Sequence, residues 1–277
     1  MHIEKIEYMI NKSIVDRQFR HNYFKITEEN LKDLENIFVR DERIKVNKYP
    51  KFFRKYCEKT FLKRKLYENI IANYISPGDV LLEGGAGKRN KIRRMFQPAV
   101  SKIYGIDLVF KDLKNNYSID HAVQGNLENI PYKTKYFNII TTFGVAEHIK
   151  NPNIVFKEFH RVLKRDGLLY IKTHSVYNPY MSVNAILPFS IRKMIVKNIL
   201  CMEGDQYPAY YKCNSENRLD KILLPLGFHK EYVLYYSNLI MLENFLSYAL
   251  SLIWDYITNI KFLNIFKTGL IACYRKN

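Results

Sequence analysis

The chain has 277 residues, enough to bury a sizeable core, and is most simply one domain of about 200 residues with additions. Its net charge of +17 favours an anionic partner such as nucleic acid, an acidic membrane surface or a phosphorylated substrate, although the basic residues are scattered and equally fit a solvated surface. The four cysteines show no C-x-x-C pair and no metal-ligand spacing, so we expect reduced, buried thiols in a cytoplasmic protein and no metal site. Acidic residues near the N-terminus argue against a secretory signal.

Residues 1–76 predict an N-terminal helical extension. Thr27 is a plausible N-cap, and the apolar residues that follow it recur at helical spacing. A basic and aromatic run at 48–65 can contact an anionic acceptor or form a solvated face. The turn Ser76-Pro77-Gly78 ends this part, and residues 77–277 then form the main domain.

Strand and helix patterns alternate through the main domain, which predicts a doubly wound parallel sheet with helices on both faces. Seven strands are expected, at 80–83, 102–107, 122–124, 137–142, 168–173, 231–236 and 270–274. Pro152 marks the first turn of the helix before the fifth strand. The residues predicted to face inward from that helix are Ile154, Val155, Phe159, Val162 and Leu163.

The stretch 80–88, V-L-L-E-G-G-A-G-K, predicts a buried strand that ends in a tight turn. Gly85 and Gly87 permit backbone angles and close approaches that a Cβ would forbid, and a helix expected at 88–94 would point its first amides over the strand end. Such a turn is a candidate ligand site.

Asp107 ends the second predicted strand, twenty positions after Gly87. An acid at this place can accept both hydroxyls of a ribose, which turns the glycine loop into a candidate nucleoside pocket. A phosphate loop would need glycine at Leu82 and Ser or Thr at Arg89, and a dinucleotide fingerprint would need glycine at Asn90. The sequence therefore excludes a phosphate loop and disfavours binding of the dinucleotide NAD.

Four motifs in order give residues 65–175 a resemblance to class I S-adenosylmethionine-dependent methyltransferases, most closely the type 11 group. Residues 83–87 match the acid-x-G-x-G motif, and Asp107 matches the ribose-binding acid. Residues 125–132, 137–149 and 159–171 resemble the segments around the third, fourth and fifth strands. The departures are Arg89, where a third glycine is common, and Asn126, which replaces the usual Asp.

The resemblance implies S-adenosylmethionine as cofactor and a seven-stranded Rossmann-like sheet. The implied cofactor-binding residues are Glu83, Gly85, Gly87, Asp107, Asn126 and Leu127. The loop amides would hold the carboxylate end, Asp107 the ribose, and Asn126 with Leu127 the base. Methyl transfer to an oxygen also requires removal of a proton, for which the candidates at strand ends are His148 and His174, with Tyr177 close by. A purely structural role is open for each histidine.

Residues 238–267 form a long apolar insertion before the last strand. Its polar residues Glu243, Ser247, Ser251 and Asp255 recur at steps of four, which predicts a helix with a wide apolar face. Its charge-free part, 244–254, is shorter than the roughly 20 residues that cross a bilayer. The apolar face can cap the core, pair with a second copy in a homodimer, or make peripheral contact with a membrane.

The acceptor has to be inferred from residues outside the common core. The tyrosine-rich segment 207–214 loosely resembles one in methyltransferases of bacterial polysaccharide or lipid-linked sugar assembly. We therefore expect O-methylation of a saccharide, lipid-linked or other small-molecule acceptor. Two alternatives stay open: a tRNA or rRNA methyltransferase, with the basic residues gathered around the pocket, and a scaffold that binds S-adenosylmethionine without catalysis.

Overall fold

A computed structural model of the protein describes residues 74–88, 100–179, 207–237 and 245–277, together with Thr60 and Arg64. The chain divides after Tyr74 into two units, and the second, residues 75–277, contains every element described below. The helical extension predicted for residues 1–76 lies almost wholly outside the described residues, as does the helix predicted at 88–94. Both stay predictions.

Seven strands of the described residues form one sheet, as the sequence predicts. They are β1 (Asp79–Gly84), β2 (Val100–Asp107), β3 (His121–Gln124), β4 (Phe137–Phe143), β5 (Leu163–His174), β6 (Phe228–Tyr236) and β7 (Gly269–Lys276). Their order in the sheet is β3-β2-β1-β4-β5-β7-β6. The helices described are α1 (Phe110–Lys114), α2 (Pro152–Val162), α3 (Glu216–Leu223) and α4 (Phe245–Ile257), with 3-10 turns at Ala146–His148 and Lys261–Phe266.

The sheet is mixed rather than wholly parallel. Strands β1 to β5 pair in parallel, but β7 lies between β5 and β6 and runs antiparallel to both. Strands that neighbour each other along the chain can pair antiparallel without a crossover connection, and β6 and β7 do so. Alternating strand and helix patterns do not reveal the direction of an individual strand. The prediction of a wholly parallel sheet therefore does not hold for β7.

Helix α2 packs on the sheet through residues one turn apart. Its buried side chains are Val155, Phe156, Phe159 and Val162. The prediction that Ile154 faces inward is wrong, because this side chain is 48% exposed and Phe156 takes the inner position. Positions 152, 155, 156, 159 and 162 follow the 3.6-residue period, and position 154 lies outside that row. The described cysteines, Cys213 and Cys273, are free and buried, as expected.

The parallel strands bring their carboxyl ends to one edge of the sheet. Gly84 at the end of β1 is level with Ile106 in β2 and with Thr142 in β4, and Thr142 is level with Ile171 in β5. The loops after β1, β2, β4 and β5 therefore start side by side. Ligands of open parallel sheets bind at this edge.

Helix α4 presents apolar side chains outward and part of its polar side inward. Leu252, Asp255 and Thr258 are buried, at helical steps of three. The exposed side chains of α4 include Leu250, Ile253, Trp254 and Ile257, which we call its outer face, and Tyr256 beside them. Asp255, predicted to belong to a polar stripe, instead faces the interior. In the part of the chain that the structure describes, no helix is long and apolar enough to cross a membrane.

A buried ion pair holds the inner side of α4. The Lys267 ammonium lies 3.3 Å from Asp255 Oδ1 and 2.7 Å from Asn259 Oδ1. The Ser237 hydroxyl also donates to Asp255 Oδ1. These contacts join the residue after β6, helix α4 and the segment that leads into β7.

Replacing Lys267 by Met should lower the free energy of unfolding by about 3–5 kcal/mol, because it leaves the Asp255 carboxylate buried without its cation. Urea unfolding followed by circular dichroism measures the loss. The matched control is Lys157→Met on the exposed side of α2, for which we expect a change within about 0.5 kcal/mol. Equal losses in the two variants would show that the pair does not hold α4.

Candidate active site

The loop after β1 has a shape that only glycine permits. Gly85 and Gly87 have positive φ angles of 72° and 50°. A Cβ on Gly85 would lie 2.4 Å from Val145 Cγ2, in the segment that follows β4. Because real Cβ atoms do not approach other atoms so closely, the loop after β1 and the segment after β4 can meet here only with glycine at position 85.

Hydrogen bonds fix this loop against the end of β2. The amides of Gly85 and Ala86 donate to Ile106 O over 2.8 and 3.1 Å. The Gly87 amide donates to Asp107 Oδ2 over 2.9 Å. The amides of Gly85 and Gly87 thus have acceptors inside the protein, which differs from our expectation that they hold the carboxylate end of the cofactor. These glycines contribute the shape of the loop instead.

Asp107 is held with both carboxylate oxygens oriented. Its Oδ1 accepts from the Val109 amide over 2.9 Å, and its Oδ2 accepts from Gly87. A carboxylate oxygen can accept two hydrogen bonds, so each oxygen keeps capacity for a ribose hydroxyl. The side chain is half-buried, beside the glycine loop. This arrangement fits the ribose-binding role predicted for Asp107.

The other predicted cofactor residues lie at the same edge of the sheet. Glu83 is buried at the end of β1. Asn126 and Leu127 follow β3, where the Gly125 amide donates to Asp107 O over 2.9 Å. Asn126 Oδ1 accepts from the Glu128 amide over 2.9 Å, so this side chain stabilises its own turn, and Leu127 is half-buried. Their contacts with a base stay predictions.

Leu108 is a residue that the sequence analysis missed. It follows Asp107 directly, and its side chain is 66% exposed. An exposed leucine beside the acid predicted to bind ribose offers an apolar surface on which a base can pack. Its position directly after Asp107 is the feature of the sequence that could have identified it.

His174 and Glu147 form a hydrogen-bonded pair at the ends of β5 and β4. His174 Nδ1 donates to Glu147 Oε1 over 3.0 Å. Because Nδ1 carries the proton, Nε2 is the nitrogen that can accept one. The His174 side chain is 38% exposed and Glu147 is buried, so the imidazole meets solvent while its partner does not.

Further donors hold the Glu147 carboxylate in place. The Thr173 hydroxyl donates to Glu147 Oε2 over 2.8 Å. Asn214 Nδ2 donates in turn to Thr173 Oγ1 over 2.6 Å and to His174 O over 3.2 Å. The backbone carbonyl oxygen of Glu147 also accepts hydrogen bonds, from the amides of Tyr210 and Tyr211. Chain segments far apart in the sequence therefore converge on this one residue.

Glu147 is ionised at neutral pH. Burial by itself would raise the pKa of its carboxyl, but the hydrogen bond from His174, together with the charge of that ring when it is protonated, outweighs burial and lowers the pKa from 4.5 to about 2. Glu147 lies within residues 137–149, whose resemblance to the fourth-strand segment assigns it no role. Only the fold shows that Thr173 and His174 face it.

His148 has a different environment. Its Nδ1 donates to the Pro208 carbonyl over 2.8 Å, and its ring meets that of Tyr207 edge-on at 6.0 Å. No described carboxylate orients this ring as Glu147 orients His174. The segment 207–214 thus packs against both predicted catalytic residues, His148 through Pro208 and His174 through Asn214.

Comparisons with known proteins agree with this geometry. Residues 82–171 match the model of a family described as methyltransferase domain. This region is a methyltransferase domain. Its fold class is that of the class I methyltransferases, which take S-adenosylmethionine, and Asp107 with the glycine loop fits that cofactor.

Solved structures share the fold of the methyltransferase domain. A candidate methyltransferase from Bacillus halodurans C-125 is 18% identical with a TM-score of 0.51, and the match covers 77% of this chain and 99% of that protein. A candidate sarcosine dimethylglycine methyltransferase from Galdieria sulphuraria is 15% identical with a TM-score of 0.50, covering 79% and 87%. At these identities the likeness concerns the fold alone.

A sequence relative is an uncharacterized protein of Methanocaldococcus jannaschii. It is 28% identical over 148 residues, which cover 49% of this chain and 56% of the relative. The chain thus spans about half the length of this relative.

Asp107→Asn in the methyltransferase domain should weaken binding of S-adenosylhomocysteine about 10- to 100-fold, because a hydrogen bond to a charged group contributes roughly 1.5–3 kcal/mol. Calorimetric titration measures the change. The control is Asp166→Asn, since Asp166 has a φ of 60° that asparagine tolerates and lies at the start of the regular part of β5. The same loss in both variants would contradict the role of Asp107.

Proposed function

We propose that the protein is an S-adenosylmethionine-dependent methyltransferase that methylates an oxygen of a saccharide, lipid-linked or other small-molecule acceptor. The observation that carries the proposal is the pair of His174 with ionised Glu147 at the carboxyl edge of the sheet. A hydroxyl acceptor is a weak nucleophile until its proton is removed, and an imidazole with a free Nε2 is suited to remove it.

Different residues of the chain have different roles in the proposed reaction. When bound, S-adenosylmethionine supplies an electrophilic methyl group. His174 Nε2 takes the hydroxyl proton of the acceptor, and Glu147 stabilises the imidazolium that forms. Thr173 and Asn214 keep the carboxylate turned towards His174. Val145, packed on Gly85, places the segment after β4 against the cofactor loop, so donor and base lie at one edge.

Exposed tyrosines beside these residues support a saccharide acceptor. Tyr207 and Tyr210 are exposed and flank Pro208, the residue that His148 contacts. Aromatic rings present a flat apolar face together with a polar hydroxyl, which suits a sugar ring with its apolar faces and hydroxyl edges. We assign to this segment the binding of the acceptor.

The outer face of α4 supports a lipid-linked acceptor. It exposes Leu250, Ile253, Trp254 and Ile257, and Phe262 in the following turn is 74% exposed. Leucine, isoleucine and tryptophan on one face of a helix, in a chain with a net charge of +17, suit the interface of an anionic bilayer. We propose that this face makes peripheral contact with a membrane.

His174→Ala should reduce methyl transfer about 10²- to 10⁴-fold, while S-adenosylhomocysteine binding stays near the unmodified value. Incorporation of labelled methyl groups into a panel of glycolipids and saccharides measures the activity. The control is His148→Ala, for which we expect a much smaller loss because its ring bonds a carbonyl. A larger loss with His148→Ala would transfer the role of base to His148. Equal activity in all forms would contradict general-base catalysis by either histidine.

Glu147→Gln should also lower activity, and its effect on stability should depend on pH. Because the pKa of Glu147 falls from 4.5 to about 2 on folding, the ionised carboxylate stabilises the protein above pH 4.5, and this contribution is lost as pH falls towards 2. The difference in unfolding free energy between the unmodified protein and the variant should shrink over that range. A difference that is independent of pH would show that Glu147 is not held as an ion.

Trp254 is the single tryptophan of the chain and reports membrane contact directly. Vesicles with anionic lipid should shift its fluorescence to shorter wavelength and sediment the protein. Ile253→Glu with Phe262→Glu should weaken sedimentation about tenfold or more, since full burial of one such side chain is worth roughly 1.5–3 kcal/mol. Tyr117→Glu, at an exposed residue outside α4, is the control. No shift with vesicles, together with a dimer in solution, would assign the face to a second copy.

A further inference from the structure

A cleft beside the candidate active site is lined by basic residues. It has a volume of about 570 Å³ and lies between the start of α2 and the side of α3 that carries Arg218, Lys221 and Ile222. We call it the basic cleft and define it by the cations Lys150, Lys212, Arg218 and Lys221, with the first turn of α2. The neighbouring sequence motifs do not predict it, because these residues come from two separate segments.

The charge of the basic cleft is one-sided. Among the described residues that line it, four are cationic and none is acidic. The first turn of α2 also lines it and contains no acid, so the positive end of the helix dipole adds to the field. Asn151 Nδ2 donates to Glu128 Oε1 over 3.0 Å, which places one half-buried carboxylate behind the lining. The net field in the cleft still favours an anion.

Two of the cations are fixed by the protein itself. The Lys212 ammonium donates to Lys150 O over 2.9 Å, and the Arg218 guanidinium donates to Tyr211 O. The Lys212 bond joins the two segments that line the cleft, and the Arg218 bond stays within one of them. Ile154 and Ile222 give it an apolar part of the wall. Fixed donors over an apolar wall are typical of sites that bind a small ligand.

The basic cleft continues directly from the residues of the proposed reaction. Lys150 follows His148 by two residues, and Lys212 follows Tyr211, whose amide donates to Glu147 O over 3.2 Å. Cofactor residues, by contrast, lie around β1, β2 and β3. The cleft is therefore on the acceptor side of the site.

We propose that the basic cleft binds a phosphate or diphosphate group carried by the methyl acceptor. This rests on the proposed function, since it assigns the cleft to the substrate of that reaction. Clustered Lys and Arg side chains with a helix N-terminus provide the donors that phosphate oxygens require. S-adenosylmethionine has no phosphate, so the cofactor does not account for these charges. The acceptor hydroxyl would then lie towards His174, with the anionic group anchored in the cleft.

The test is calorimetric titration of the full chain with inorganic pyrophosphate at constant ionic strength. Lys150→Gln combined with Lys221→Gln should weaken binding about tenfold or more, because two charge-assisted contacts are lost. Lys212 and Arg218 are kept because they also brace the loop. The control is Lys157→Gln combined with Lys111→Gln, which removes the same charge from exposed positions outside the cleft. An equal loss in the control pair would overturn the proposal, because it would show a general effect of charge.

Three further arms separate this proposal from others. Titration of the same samples with S-adenosylhomocysteine should give unchanged affinity in every variant. If the unmodified protein binds S-adenosylhomocysteine but not pyrophosphate, only the role proposed for the cleft is overturned. If the unmodified protein does not bind S-adenosylhomocysteine, the proposed function is overturned. If a lipid carries the phosphate group, vesicles with a phosphate monoester lipid should compete with pyrophosphate. If the acceptor is not a lipid, free phosphate should compete and the vesicles should not. A short single-stranded RNA that competes far better than pyrophosphate would assign the cleft to nucleic acid and overturn the proposal.

Discussion

The buried carboxylate of Glu147 is the constraint on which the candidate site depends. An ion removed from water is costly unless hydrogen bonds and an opposite charge replace its hydration. Here Thr173 and His174, both from the end of β5, supply those contacts, and Asn214 supports Thr173 from a distant segment. The orientation of the imidazole and the position of the segment 207–214 therefore follow from satisfying one buried charge.

A second constraint joins this network to the cofactor loop. Parallel strands end at one edge, which places the loops after β1, β2, β4 and β5 side by side. Gly85 then lets the first of these loops approach Val145 more closely than any side chain would allow. A glycine at position 85 thus sets the spacing between the loop after β1 and the segment after β4, in addition to the turn itself.

Helix α4 and the basic cleft are two exposed surfaces of distinct chemistry, one apolar and one cationic. The helix turns Asp255 inward against Lys267 and leaves leucine, isoleucine and tryptophan outside. The cleft gathers four cations beside the acceptor side of the site. An acceptor with a lipid part and a phosphate group, as proposed above, would use both surfaces.

The sequence by itself determined the seven strands, the glycine loop, Asp107 and the resemblance to methyltransferases, because apolar runs, glycines and an acid at a fixed spacing are local signals. It named His148 and His174 equally, since both follow strands. Only the tertiary structure decided between their environments, because the partner of His174 lies 27 residues earlier in the chain. The prediction of a wholly parallel sheet was wrong for β7, the polar stripe of α4 was wrong for Asp255, and the basic cleft was not predicted. Each depends on which distant segments meet, and that is set by packing and by the pairing of buried charges.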